Sequence, residues 1–271
     1  MAKPSKDALA AIDFAALYRR QAKASSFEMR SREDWDQRAQ RRSRHEKGSD
    51  YARAFLARMD LHEVHSVLDI GCGSGNLALP LAKKVKQVHA VDFSSGMLSL
   101  LRAQARKQHL KNIRTTRLAW TDEWPRVPKT DVVVCSRAMS VEDARAALIK
   151  MDALARKRCY LTVHAGGSFM SEDVYRVLRR TMIPRPNYMY VVNILYQLGI
   201  QAKVDFLNTS GGLAYEGPEA FVEGIRWRIG RLTSAEEKRL RTYFESLPRD
   251  AKGRSQYRHD FVWAFLSWEK G

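Results

Sequence analysis

Val67-Leu68-Asp69-Ile70-Gly71-Cys72-Gly73-Ser74-Gly75-Asn76 reads as a buried strand, a glycine-rich turn and the start of a helix. Val67 to Ile70 is a short apolar run, and Gly71, Gly73 and Gly75 end it. Leu77 to Leu81 restores apolar character at the start of the helix, and Lys83, Lys84 and Lys86 close the segment. Without a Cβ, glycine lets the backbone approach a ligand closely. A second apolar strand, Val88 to Phe93, carries Asp92 near its end. A carboxylate at the tip of a second strand accepts hydrogen bonds from ribose hydroxyls.

Two nucleotide-bearing ligands compete for such a turn. A dinucleotide site wants G-x-G-x-x-G, with backbone amides facing a pyrophosphate. This chain has G-x-G-x-G, and Asp69 stands two residues before the first glycine. An anion near Asp69 is repelled, whereas a ligand with a cationic ammonium and a cationic sulfur is attracted. S-adenosylmethionine (SAM) is such a ligand. On these residues the chain resembles the class I SAM-dependent methyltransferases, whose first motif is hh(D/E)hGxGxG and whose second is an acid ending the next strand. The resemblance covers roughly residues 51–162 and is weaker beyond. It implies an α/β fold: a seven-stranded Rossmann-like sheet with helices on both faces, ending in an antiparallel hairpin, plus an N-terminal helical extension. It also implies a cofactor site drawn from Asp69, Gly71, Cys72, Gly73, Gly75, Asp92, Phe93, Met97, Trp120 and Ser136.

Composition bounds the rest. The chain has 271 residues, 45% apolar and 28% charged, which suits one sizeable domain with additions or two small ones. No apolar stretch reaches the roughly 18 residues of a membrane span, and the first residues lack the apolar centre of a signal peptide. Three cysteines, Cys72, Cys135 and Cys159, show neither a disulfide pattern nor zinc-ligand spacing. A reducing, cytoplasmic setting is therefore expected, with no metal. The net charge of +17 is spread along the chain and forms no basic tail. Folding can gather such charge on one face for a nucleic acid, or leave it as a generally solvated surface.

Along the chain, residues 1–50 read as a helical extension or lid and 51–271 as the methyltransferase domain, with 165–230 contributing to an acceptor pocket. Trp35-Asp36-Gln37-Arg38-Ala39 resembles the tryptophan-bearing helix that covers the cofactor in many small-molecule relatives. Trp35 also reads as a residue that simply packs a leading helix onto the core. Arg41, Arg42, Arg44, His45 and Lys47 are the densest basic cluster, read as a solvated helix face or an RNA contact. Met97 reads either as adenine packing or as ordinary core. Where relatives place an acid at the end of the third strand (Asn112 to Leu118), this chain has Ala119; Trp120 or Asp122 then stands in as the adenine contact. Asp131 to Cys135 reads as the fourth strand, Glu142 to Lys157 as a helix, and Tyr160 to His164 as the fifth strand. A helix over Asn187 to Leu198, a strand over Lys203 to Leu207, a helix over Glu219 to Ile229, a capping box at Thr233 and Glu236, and a final strand over Phe261 to Trp268 follow.

Methyl transfer from a sulfonium is an in-line displacement, so alignment and desolvation carry most of the catalysis. A general base is required only when the acceptor must lose a proton. The candidates near the expected pocket are Arg137, which reads as an anion anchor or a salt bridge, and His164, which reads as a base or a hydrogen-bonded core histidine, with Tyr188 and Tyr190 as further candidates. The site after the fourth strand reads Ser136-Arg137-Ala138-Met139, not (N/D/S)-P-P-(Y/F). Cys135 lies among strand valines and lacks the setting of a pyrimidine-methylating nucleophile. A small-molecule acceptor is favoured by the lid-like segment. RNA is the alternative, on charge, and a non-catalytic SAM-binding assembly factor comes third.

Overall fold

The computed structural model of the chain describes residues 8–41, 50–166, 170–209, 213–257 and 259–270. Three helices lead: α1 (Phe14–Ala24), α2 (Arg32–Arg41) and α3 (Asp50–Ala57). The alternating part follows as β1 (Ser66–Ile70), α4 (Ala78–Ala82), β2 (Gln87–Asp92), α5 (Ser95–Lys107), β3 (Ile113–Arg117), β4 (Thr130–Ser136), α6 (Ala144–Leu154) and β5 (Ala155–His164). Beyond it come α7 (Glu172–Leu178), α8 (Tyr188–Gln197), β6 (Lys203–Thr209), β7 (Leu213–Tyr215), α9 (Pro218–Ile229), α10 (Ser234–Glu245), β8 (Ser255–Tyr257) and β9 (Phe261–Glu269).

Seven strands form one mixed sheet in the order β3-β2-β1-β4-β5-β9-β6. The first five are parallel, and β9 runs antiparallel between β5 and β6. Strand alternation feeds two cores. Leu68, Ile70, Val133, Cys135 and Leu161 point to one face, where α1, α6 and α8 cover them. Val67, Val88, Ala90, Val132 and Val134 point to the other, under α3, α4 and α5. Parallel strands buried on both faces read as near-continuous apolar runs, and β1 and β4 do so. A third apolar cluster joins Phe27 to α7, α9, α10 and Tyr257.

The α/β sheet with helices on both faces is thus as expected, and the outer elements differ in detail. The strand expected to begin at Tyr160 begins at Ala155, where the expected helix should still run. Pairing of Ala155 with Thr130 and of Arg158 with both Val132 and Glu269 outweighs the helix propensity of Ala, Arg and Lys. Strands β6 and β9 are antiparallel neighbours but do not form a tight hairpin: residues 210–260 intervene, carrying β7, α9, α10 and β8. The small β7–β8 sheet and α7 carry too few residues to stand out as periodic pattern. The Thr233–Glu236 capping box is present, and Gly199, at φ +76°, follows the last residues of α8. The cluster from Arg42 to Lys47 lies outside the described residues, as does the side chain of Arg41.

Candidate active site

The turn after β1 sits at the carboxyl end of the parallel strands, where open α/β sheets bind ligands. Gly71 N and Cys72 N donate to Val91 O of β2 at 2.8 and 3.1 Å, which pins the turn to the neighbouring strand. Gly71 has φ +67°, and a Cβ there would lie 2.2 Å from Ala138 Cβ. This glycine is therefore required by the close approach of the loop after β4. Gly73 differs: at φ +53° a Cβ would meet nothing within 4 Å. The turn leaves room on that side.

Both acids line this turn. Asp92, 7% exposed, accepts from Gly73 N on Oδ2 (2.8 Å) and from Ser94 N on Oδ1 (2.9 Å). Its carboxylate is held in one orientation, and burial raises its pKa. Asp69 is 1% exposed, and its Oδ2 has no hydrogen-bond partner. Desolvation first, and the charge of Asp92 second, push its pKa up to about 7, against a bond from the Ala78 amide. A buried acid pair beside an open glycine turn favours a nearby positive group, which would restore what burial removed. The sulfonium and ammonium of SAM match that charge, and its ribose matches the fixed carboxylate of Asp92.

The other expected residues surround this centre. Cys72 is buried in the turn, with Sγ against Gly73 O, and burial and the two acids push its thiol pKa up. Phe93 is half-buried, and Met97 is buried at 1% exposure with its amide on Ser94 Oγ. Trp120 stacks on Trp124 and donates Nε1–H to Ala138 O at 3.1 Å, tying the loop after β3 to the loop after β4. Asp122 accepts from Ala119 N at 2.8 Å, so its carboxylate closes its own turn. Ser136 Oγ lies 2.8 Å from Tyr51 OH, which is also 2.6 Å from Thr162 Oγ1.

The strand ends on the acceptor side carry Arg137 and His164. Arg137 adopts φ +57°, donates its backbone N–H to Thr162 Oγ1, and sets its guanidinium 4.1 Å from the centre of the Tyr51 ring. His164 is buried edge-on to Trp263; burial, Arg185 and His259 lower its pKa to about 4, so its imidazole is neutral near pH 7. Tyr188 and Tyr190 pack elsewhere, against Phe206 and Tyr18.

Several residues that shape the site were not anticipated. Asp36 of α2 accepts from Ser94 Oγ at 2.6 Å and Gly96 N at 2.8 Å, capping α5 from outside. Its neighbour Trp35 turns away and meets Trp227 of α9 edge-on at 5.4 Å. Tyr18 OH of α1 donates to Met139 O at 2.9 Å, and burial pushes the phenol pKa up to about 12. Arg185 donates to Ser140 Oγ and to Glu28 O, each at 2.7 Å. Their partners lie far off in sequence, so no local pattern marks them. Among the described residues no cluster of three His, Cys, Asp or Glu has metal-binding geometry, and no helix is long and apolar enough to cross a membrane.

Residues 67–158, from β1 into β5, match the model of a family described as a methyltransferase domain. The chain is 33% identical over 260 residues to an uncharacterized protein of Haemophilus influenzae, covering 95% of this chain and 96% of that one. A local similarity, 45% over 58 residues, relates it to a 23S rRNA (uracil(1939)-C(5))-methyltransferase of Aliivibrio fischeri, across 21% of this chain and 13% of that protein. The crystal structure of the YcgJ protein of Bacillus subtilis shares the fold, with a TM-score of 0.58 at 14% identity, over 82% of this chain and 98% of that one.

Proposed function

Because the chain belongs to the class I SAM-dependent methyltransferases, and so takes its methyl group from S-adenosylmethionine, we propose that its acceptor is a small molecule bound beneath the N-terminal helices. In this reading Asp92 takes the ribose hydroxyls, the turn from Gly71 to Gly75 lies along the cofactor, and Asp69 balances its positive charge. The acceptor sits at the ends of β4 and β5, beside Ser136, Arg137 and His164.

One observation carries the reading. The N-terminal segment is stitched to the loop before α8: Gln21 Nε2 donates to Pro184 O, Ser26 N to Ile183 O, and Ile183 N to Ser26 Oγ. With Tyr18 on Met139 O and Arg185 bridging Ser140 to Glu28 O, this forms a roof over the strand ends. Such a roof excludes water and suits a compact acceptor. The acceptor's lone pair attacks the methyl carbon, the carbon–sulfur bond breaks, and its electrons return to sulfur as a thioether. His164, neutral near pH 7, is placed to take a proton where the acceptor has one to lose, although its lowered pKa makes it a weak base.

RNA is the second reading, supported by the +17 charge and by the local similarity to an rRNA methyltransferase. The carbon-5 chemistry named for that relative does not carry over with it. Attack on a pyrimidine ring needs a thiolate, and Cys72, Cys135 and Cys159 are buried with raised pKa values. Incubation with methyl-labelled SAM and fractionated cell extract, with RNase and protease controls, tests the acceptor class. Label in a low-molecular-weight fraction resistant to both enzymes is expected. Label that RNase releases from a polymer would overturn the small-molecule reading.

A further inference from the structure

From the groove between α7 and α10 we infer a docking surface for the phosphate backbone of single-stranded RNA, lined by none of the residues assigned to the methyl-transfer centre. The inference goes beyond the acceptor reading, since docking on RNA does not require RNA to be the group methylated.

The groove has a volume of about 550 Å³ and is open along one side. Four cations line it, Arg176, Arg179, Lys238 and Arg239, together with Thr242 and Tyr243, and no acid does. The arrangement follows from how α10 is divided. Glu236 turns inward and takes both Nε and Nη2 of Arg180, while Glu237 faces Arg226 and Arg241. Lys238 and Thr242, four residues apart, share the side of α10 opposite these acids, while Arg239 and Tyr243 form a stripe beside Glu236 on the side toward α7. Arg239 reaches across to the last carbonyls of α7, Val177 O at 2.8 Å and Leu178 O at 3.1 Å, which fixes the groove's floor. Arg176 pairs with Asp173 in water, a weak and screened contact. Arg179, in the left-handed region at φ +57°, and Lys238 are exposed, and among the described residues neither makes an ion pair.

The chemistry narrows the occupant. An enclosed pocket buries most of a small ligand, but this groove is open and suits a polymer lying along it. Three exposed cations and one at the floor match successive phosphates, and the half-buried Tyr243, whose ring packs on Phe221 on the inner side, borders the groove where a base would lie. A surplus of 17 positive charges over the whole chain adds long-range attraction to any polyanion.

Anisotropy of a fluorescein-labelled oligouridine with the full chain tests the inference. Binding at low salt that weakens as salt rises is expected. The double variant Arg179→Glu/Lys238→Glu should lose at least about tenfold in affinity and flatten the log–log salt slope by roughly 1.4, about 0.7 for each lost phosphate contact. Lys86→Glu/Lys111→Glu changes net charge equally, at exposed positions at the opposite ends of the strands, and should lose less than about threefold. Melting temperature and SAM affinity should be unchanged in both, which separates this test from that of the acceptor. If the first variant unfolds, Lys238→Gln against Lys111→Gln makes the same comparison. Absence of salt-dependent RNA binding overturns the inference, as does equal loss in the two double variants. Tighter binding of oligodeoxythymidine, or equal competition by polyglutamate, overturns it as well.

Discussion

At the residue scale, Gly71 and Gly73 separate two demands that the sequence motif merges. Gly71→Ala places a methyl 2.2 Å from Ala138 Cβ in a left-handed conformation. Strain of about 1–2 kcal/mol and overpacking of about 1–3 kcal/mol should add, and urea denaturation should show a loss of several kcal/mol. Gly73→Ala meets no protein atom, so only the strain applies to the fold, while SAM affinity should fall more than stability does. Asp92→Ala removes a carboxylate that two backbone amides orient. The loss of charged hydrogen bonds, about 1.5–3 kcal/mol, should weaken SAM binding roughly ten- to hundredfold by calorimetry; unchanged affinity would refute the assignment. Asp69 links the site to pH. Its pKa rises on folding to about 7 from the ordinary 3.8 of an aspartate, so its stabilising contribution is complete below about pH 4 and is lost as pH climbs through 7. His164 acts oppositely: its pKa is lowered to about 4 from 6.5, and its contribution is lost as pH falls through that window. The difference between wild type and Asp69→Asn isolates the acid. The variant should melt higher than wild type at pH 8 without cofactor, and the gap should narrow at pH 5.

At the scale of elements, α2 is held from two sides by different forces. Asp36 meets one orphan amide of α5, Gly96 N, and the hydroxyl of Ser94, and a carboxylate there also favours the positive end of the helix dipole. The Trp35–Trp227 contact and the Arg38 guanidinium 4.4 Å from the Trp227 ring join α2 to α9. The helix therefore bridges the sheet domain and the insertion between β6 and β9. Removing one bridge should loosen α2 without unfolding the rest. Asp36→Ala is expected to speed hydrogen exchange of α2 amides by about threefold to tenfold, the lower part of the capping range because the acid is half-exposed. Exchange in β1 and β4 should not change. The Tyr51–Ser136–Thr162 cluster does similar work for the strand ends, fixing Arg137 through Thr162.

Over the whole molecule, two cores flank the sheet and a third joins Phe27 and α7 to the insertion between β6 and β9. The cysteines belong to the first two, with Cys135 and Cys159 fully buried and Cys72 at 5% exposure. An aromatic disulfide reagent should label the native chain only at the rate of its opening, and denaturant should release all three thiols at once. Fast labelling of one thiol would reopen the nucleophile question. What the sequence determined by itself was local: strand periodicity in Val67–Ile70 and Asp131–Cys135, glycines where the backbone must turn or yield room, and an acid at each of two strand tips. Those features depend on residues within a few positions of one another, and they suffice for the sheet and the methyl donor. The helix expected to reach Lys157 failed because β4 and β9 compete for that segment from outside it. Asp36 on Ser94 spans 58 residues and Gln21 on Pro184 spans 163. Such contacts, like the division of α10 into an acid-paired and a basic face, arise only when distant surfaces pack. No residue carries their signature alone, so the seam between the N-terminal segment and the loop before α8, and the cationic groove, were decided by tertiary structure.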